Sequence, residues 1–346
     1  MAIMIATKCL ILSIGITLAC IAAGMAFGSA QLHKAMGQAA QASFNAGNPI
    51  AAGFAYVGLR LTCILVASLL ALWQPTASGS GLPQIKANLN GADIPGFLTF
   101  RTLVAKTIGI TLVVSTGFPL GKEGPMVHIG AIVAAVLSRL EVGPLRDMLE
   151  LRLPQAQRAW VGIGAVAGIA AAFHAPLGGI LYAFEEVCSY WSAKLTWRAF
   201  VCAVIVSTSA RFLIHHSNHL LHDPSQGFVI GLARGESVAG SSKLSLWEGT
   251  TLIAFVAVSA LGGLLGAIYD FLVMKLNMYR QFTGLAKKRW LRLFEVFVMG
   301  VFAFSIAFVL PFFFPCVECP MGSPCARPAG SNASAAAAAV SGSDSG

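Results

Sequence analysis

The feature that most constrains the fold is a series of long apolar segments separated by little charged sequence. Only 11% of the 346 residues are charged, against about 25% in an ordinary soluble domain, and 56% are apolar. A soluble enzyme or a disordered chain of this composition would lack a charged surface. We therefore expect an all-α polytopic membrane protein whose apolar exterior is covered by lipid. The apolar spans lie near 8–29, 51–73, 102–119, 126–140, 159–187, 199–214, 247–274 and 293–315.

Several spans are short or interrupted by glycine and proline. The 102–119 span ends at Gly117-Phe118-Pro119, and Pro176 breaks the 159–187 span. Such interruptions are typical of discontinuous helices around a binding site in the middle of the membrane. The first span could be a signal peptide, but it is long and lacks a clear cleavage site, so we interpret it as membrane-spanning.

The net charge is +9, from 23 Lys and Arg against 14 Asp and Glu. The basic residues are spread among apolar spans without an aromatic-rich basic face, so we do not expect nucleic-acid binding. Six of them lie between Lys275 and Arg292, where no acidic residue occurs. By the positive-inside rule this segment is expected to be a cytoplasmic loop, which also places 188–198 on the cytoplasmic side.

Two kinds of cysteine are present. Five lie in or beside apolar spans as small hydrophobic residues, whereas Cys316, Cys319 and Cys325 share one polar segment with no nearby histidine. A disulfide in an oxidising lumen is expected there rather than a zinc site. We expect residues 1–315 to form the membrane domain and 316–346 a lumenal or extracellular low-complexity tail. No cofactor or metal is expected.

Three segments bring polar groups into apolar sequence, and the first is Gly79-Ser80-Gly81-Leu82-Pro83. Pro83 suits the first turn of a helix, and the glycines leave backbone N–H groups accessible. A helix N-terminus beside a serine hydroxyl can bind an anion. A simple turn between two spans is the alternative for this segment taken alone.

The second segment is Gly117-Phe118-Pro119-Leu120-Gly121-Lys122-Glu123-Gly124-Pro125, whose Pro125 begins an apolar helix. Glu123 is expected at the positive N-terminus of that helix, where its carboxylate can occupy an anion site or leave it when protonated. An interfacial pair with Lys122 is the alternative.

The third segment runs from Ala172 through His174 and Pro176 to Glu185 and Glu186. Adjacent carboxylates at the end of an apolar helix are costly, so at least one is a functional candidate. A solvated helix end remains plausible for the other. His174 is expected to be a packing or polar-contact residue.

In order and spacing, the three segments resemble the motifs of the CLC family of chloride channels and chloride/proton exchangers. Within that family, the likeness is greatest to the intracellular exchangers of endosomes, lysosomes and vacuoles. The resemblance implies two inverted helical repeats, a homodimer with one pore per subunit, and transport of chloride and protons rather than enzymatic activity. The intracellular likeness suggests an endosomal, lysosomal or vacuolar membrane.

By position, the resemblance implies that Ser80 contacts the central chloride and that Glu123 gates the outer site and passes the proton. It makes Glu186 the internal proton-transfer residue of an exchanger. Ser80 also favours chloride, because nitrate-preferring relatives carry proline there. The chloride-binding set implied is Gly79, Ser80, Gly81, Gly121, Lys122, Glu123, Gly124 and Pro125.

The chain also departs from the family pattern. It carries the first repeat and only two helices of the second, and we find no second Gly-x-Phe-x-Pro segment after residue 260, so we expect a truncated membrane domain. The leading hypothesis is a chloride/proton antiporter. A passive voltage-gated chloride channel is one alternative, and a non-transporting subunit that dimerises with a longer relative is another.

Overall fold

The computed structural model describes residues 2–139, 153–188, 191–220, 249–284 and 288–313, and these residues form helices joined by short turns without a strand. The all-α expectation is therefore confirmed. In chain order the helices are α1 (Ala2–Asn45), α2 (Pro49–Trp73), α3 (Leu82–Leu89), α4 (Phe100–Ser115), α5 (Glu123–Arg139), α6 (Pro154–Phe173), α7 (Pro176–Tyr182), α8 (Ala193–Leu220), α9 (Gly249–Phe282) and α10 (Arg289–Val309). A π-helical turn, Ala183–Val187, continues α7.

Prolines mark several helix starts. Pro49, Pro83, Pro154 and Pro176 lie in the first turns of α2, α3, α6 and α7. A proline there costs no hydrogen bond, because the first N–H groups of a helix have no partner within it. The α4 helix instead has Thr99 as its N-cap, and the Thr99 side chain accepts a hydrogen bond from the Thr102 N–H.

The core lies where α5 crosses α6, and glycines allow the two backbones to touch. A Cβ on Gly130 would lie 2.9 Å from the Gly168 nitrogen, and a Cβ on Gly164 would lie 2.9 Å from the Gly130 carbonyl carbon. Small residues at such crossings let helices pack closely in lipid. The α1 helix packs against α8 beside this pair, α2 packs against α4 and α10, and α3 lies against α5 and α6.

Six helices in the described part of the chain are long and apolar enough to cross a membrane, judged by length and composition. They are α1, α2, α6, α8, α9 and α10. The protein is thus an integral, multi-pass membrane protein. The side chains of α9 are exposed from Ile253 to Tyr279, and Arg280 near its end pairs with Glu295 of α10 at 2.8 Å.

Two expected boundaries are wrong. The first helix extends to Asn45 rather than residue 29, because helix-forming alanine and glutamine continue after the apolar side chains become sparse. The basic segment 275–292 is not one loop: Lys275 and Arg280 lie in the last turns of α9, while Arg289 and Arg292 begin α10. The tail and Cys316, Cys319 and Cys325 lie outside the described residues.

Candidate functional site

The first predicted segment forms a tight turn that leads into α3. Gly79 and Gly81 have φ of +73° and +86°, a left-handed conformation that residues with a Cβ rarely adopt. The Ser80 Oγ accepts a hydrogen bond from the Leu82 N–H at 3.4 Å, at the start of the helix. A helix of eight residues therefore begins beside a serine hydroxyl, as the sequence predicted.

A buried lysine that our sequence analysis missed holds this turn. The Lys106 Nζ donates hydrogen bonds to the carbonyl oxygens of Ala77, at 3.1 Å, and Gly79, at 2.8 Å. Its exposed fraction is 3%. One signal was available, since Lys106 is the only charged residue in the apolar run from Thr102 to Pro119. A lone cation at membrane depth is a functional candidate by default.

His128 supports the turn from the other side and was also missed. Its Nε2 lies 3.2 Å from the Phe97 carbonyl oxygen, and its ring stacks on the Phe97 ring with 4.0 Å between centroids. A Cβ on Gly81 would lie 2.7 Å from the His128 ring. Glycine is therefore required at position 81 for space as well as for conformation.

The second predicted segment begins where α4 ends, and two basic side chains bind that end. The Arg60 Nε donates to the Thr116 carbonyl oxygen at 3.1 Å, and the His33 Nδ1 lies 2.9 Å from the Ser115 carbonyl oxygen. The last carbonyls of a helix lack partners within it and carry partial negative charge. These contacts fix the point from which the chain turns towards Glu123.

Glu123 is the first residue of α5, as predicted, with Pro125 in the first turn. Its side chain is half-buried and folds back over Gly121, so that a Cβ on Gly121 would overlap the Glu123 Oε2. A carboxylate is favoured near the positive end of a helix. Its position allows this carboxylate to compete with an anion for the same helix end.

The two predicted segments meet in the structure. A Cβ on Gly124 would lie 2.7 Å from the Ser80 Cβ and 3.9 Å from the Ser80 Oγ. The starts of α3 and α5 are therefore adjacent, with Ser80 against Gly124. Two helix N-termini and a hydroxyl can together bind an anion without a metal or a basic side chain.

The third predicted segment contains the expected break. The α6 helix ends at Phe173, His174 adopts a left-handed φ of 52°, and α7 resumes at Pro176. Glu185 and Glu186 follow on the π-helical turn, and both are exposed in the single chain. π-Helical turns often occur at functional sites.

Metal binding receives no support from the described residues, where no three His, Cys, Asp or Glu side chains lie close enough together to hold an ion. The geometry brings together Ser80, Glu123 and Gly124, three residues that the sequence predicted to be parts of an anion site.

Comparisons with known proteins agree with this description. The model of the family described as "Voltage gated chloride channel" matches residues 62–341. Chloride channel protein CLC-d of Arabidopsis thaliana is 36% identical over 295 residues, which are 81% of this chain and 36% of that protein. The human H(+)/Cl(-) exchange transporter 7 is 35% identical over 259 residues, which are 73% of this chain and 31% of the transporter. The chain thus spans about a third of the length of these curated relatives.

Two solved structures have a similar fold. A eukaryotic CLC transporter aligns with a TM-score of 0.67 and 22% identity, over 90% of this chain and 52% of that one. A slow cyanobacterial Cl-/H+ antiporter aligns with a TM-score of 0.65 and 22% identity, over 90% of this chain and 64% of that one. At this identity the likeness establishes the fold, which agrees with the helical architecture described above.

Proposed function

The chain belongs to the voltage gated chloride channel family, and from that premise we propose that it carries the anion- and proton-handling part of a chloride/proton antiporter. The carrying observation is the contact between the two predicted segments, which puts Ser80 against Gly124 at the start of α5. Chloride is bound by the Ser80 hydroxyl and the backbone N–H groups around it.

Glu123 couples proton movement to chloride movement at this site. It is one residue from Gly124 and begins the same helix, so its carboxylate and a chloride ion compete for one positive helix end. Protonation removes the negative charge and lets chloride replace the side chain. Alternation between the two states moves a proton in one direction and chloride in the other.

Glu186 distinguishes the antiporter hypothesis from its alternative on the same fold, the passive chloride channel. The exposed Glu186 carboxylate on the π-helical turn would exchange protons with water on its own side of the membrane. The antiporter requires this second carboxylate, because a route lined for anions is a poor route for protons. A passive channel does not require it.

The assembly proposed is a homodimer in an endosomal, lysosomal or vacuolar membrane, with residues 1–315 as the membrane domain and 316–346 as a lumenal tail. The alternative assembly is a non-transporting subunit paired with a longer relative. The exposed side chains of α9 between Ile253 and Tyr279 must be covered by lipid or by another protein, and both assemblies are compatible with this exposure.

Reconstitution of the full chain into liposomes tests the proposal, with chloride release and external pH recorded together. Wild type is expected to move protons against chloride, and Glu123→Gln, which resembles the protonated carboxyl, is expected to keep chloride flux and lose proton movement. Asp93→Asn is the matched control, because Asp93 is an exposed loop carboxylate. Proton pumping retained by Glu123→Gln would remove Glu123 from this role. A wild type without flux that co-purifies with a longer relative would favour the subunit.

A further inference from the structure

The only charged residue of α2 is Arg60, which lies in the middle of this apolar helix. Its exposed fraction is 4%, and within the described residues its hydrogen bonds go to carbonyl oxygens rather than to a carboxylate. A buried cation in a membrane helix is costly unless its donors are satisfied. Its Cζ lies 3.6 Å from the centroid of the Tyr56 ring, and the guanidinium donates to the Tyr56 carbonyl oxygen at 3.3 Å. The remaining described bond leads to another helix.

That bond holds the end of α4. The Arg60 Nε donates to the Thr116 carbonyl oxygen at 3.1 Å, next to the Ser115 carbonyl oxygen that lies 2.9 Å from the His33 Nδ1. Ser115 and Thr116 are buried, so water does not replace these two partners. The final carbonyls of a helix have no partner within it and carry partial negative charge. Donors from α1 and α2 therefore fix the direction in which α4 ends.

The chain from Thr116 to Glu123 is short and is ordered by local bonds. The Thr116 Oγ1 accepts a hydrogen bond from the Phe118 N–H at 3.3 Å, and the Leu120 N–H donates to the Phe118 carbonyl oxygen at 2.6 Å. The Phe118 ring packs edge-on against Phe304 of α10, with 5.8 Å between centroids. A shift at Thr116 would therefore be carried to within three residues of Glu123.

The order of this segment matters for the proposed exchange cycle. In that cycle the Glu123 carboxylate leaves the start of α5 when protonated and returns when it loses the proton. Ordering a flexible segment costs conformational entropy, and a segment that is already ordered does not pay this cost at each return. If residues 117–122 were loose, the carboxylate would spend less time at the helix end. Chloride could then pass without the movement of a proton.

We propose that Arg60 is a positioning residue for Glu123: by holding the Thr116 carbonyl it orders residues 117–122 and so sets how tightly proton movement is coupled to chloride movement. The inference rests on the proposed function and adds to it a residue of α2, outside the three predicted segments. Arg60 acts on Glu123 through the Thr116 backbone.

The experiment compares full-length wild type, Arg60→Met and Arg60→Lys. Methionine removes the charge and the donors, whereas lysine keeps the charge but lacks the fork of donors. Arg101→Met is the matched control, because Arg101 is an exposed arginine at the opposite end of α4. Proton and chloride fluxes are recorded together in liposomes. Amide hydrogen exchange across residues 117–122 is measured on the same proteins in detergent.

For Arg60→Met we expect amide exchange across 117–122 to become about tenfold faster or more, the size expected for losing a charge-assisted hydrogen bond. Chloride flux should persist, and the number of protons moved per chloride should fall. Arg60→Lys should recover part of both effects, and Arg101→Met should match wild type. A wild-type proton-to-chloride ratio in Arg60→Met would overturn the inference, and so would a lowered ratio without faster exchange.

A second variant decides the matter if Arg60→Met loses its fold, which faster exchange throughout α4 and α5 would reveal. Thr116→Val keeps the carbonyl that Arg60 holds but removes the hydroxyl that accepts the Phe118 N–H. A lowered proton-to-chloride ratio in Thr116→Val would support the inference, and a wild-type ratio would overturn it.

Failure of this inference differs from failure of the proposed function. A wild type that moves chloride without protons would refute the proposed function, and the inference with it. A coupled wild type that Arg60→Met equals in its proton-to-chloride ratio would refute the inference alone.

Discussion

Ser80 and Gly124 are in direct contact, and only the absence of a side chain at position 124 allows it. A Cβ at that position would lie 2.7 Å from the Ser80 Cβ, closer than two such atoms approach in real structures. This contact joins segments that are more than 40 residues apart in the chain and brings together the starts of α3 and α5.

We therefore expect Gly124→Ala to push Ser80 away from the start of α5 and to weaken chloride binding about tenfold, the effect of losing one or two hydrogen bonds to an anion. The free energy of unfolding should change less, because both residues lie at the edge of the core. Calorimetric titration with chloride checks this. Gly109→Ala is the control, since a Cβ there has open space. Equal affinity in both variants would contradict the prediction.

Ser80→Pro should shift the anion preference from chloride towards nitrate. Proline removes the hydroxyl and the N–H that a compact anion uses, and both losses matter less for a larger, more diffuse anion. Reversal potentials in mixed anions measure the preference. Ser80→Ala separates the two effects, because it removes the hydroxyl and keeps the N–H. An unchanged chloride-to-nitrate ratio in both variants would show that Ser80 does not line the site.

Glu186→Val should abolish proton movement while chloride still moves, because the second proton-accepting carboxylate is lost. Glu185→Gln is the matched control on the same π-helical turn and should retain most of the coupling. Chloride and proton fluxes are recorded together, in the full chain or in a chimera that supplies the remaining helices of a longer relative. If Glu186→Val keeps the wild-type coupling ratio, Glu186 is not the internal proton-transfer residue.

Gly164→Ala should destabilise the fold. The added Cβ would lie 2.5 Å from the Ala134 Cβ and would press on the Gly130 backbone, so α5 and α6 must separate. Overpacking of this kind typically costs about 1–3 kcal/mol. A lower midpoint of thermal unfolding in detergent is the expected result. Gly262→Ala on α9, where a Cβ meets nothing within 4 Å, should leave the midpoint near that of wild type.

Local chemistry was sufficient to predict the helix starts at the site. Pro83 lies in the first turn of α3, Pro176 lies at the predicted break, and Glu123 begins α5. These features depend on neighbouring residues alone: proline has no N–H, and an acidic residue is favoured at a positive helix end. The resemblance to a family then supplied the roles expected of the three segments.

Contacts between distant helices could not be predicted in the same way. His128 looked like one more residue of an apolar helix, and only the fold places its ring between Phe97 and Gly81. Arg60 is similar: its exposed fraction is 4%, and its acceptor at Thr116 lies 56 residues along the chain. Hydropathy also identifies where apolar side chains end rather than where a helix ends, which explains the short estimates for α1 and α9.

The length of α9 has a mechanical consequence. Its 34 residues form a rod about 51 Å long, at about 1.5 Å per residue, whereas the hydrocarbon core of a bilayer is about 30 Å thick. The helix must therefore tilt or extend beyond the hydrocarbon core, and its basic C-terminal end favours contact with phosphate headgroups. At this end of α9, Arg280 forms an ion pair with Glu295 of α10. A change in bilayer thickness would therefore alter the inclination of α9, and through this ion pair the strain would reach α10 and then α2.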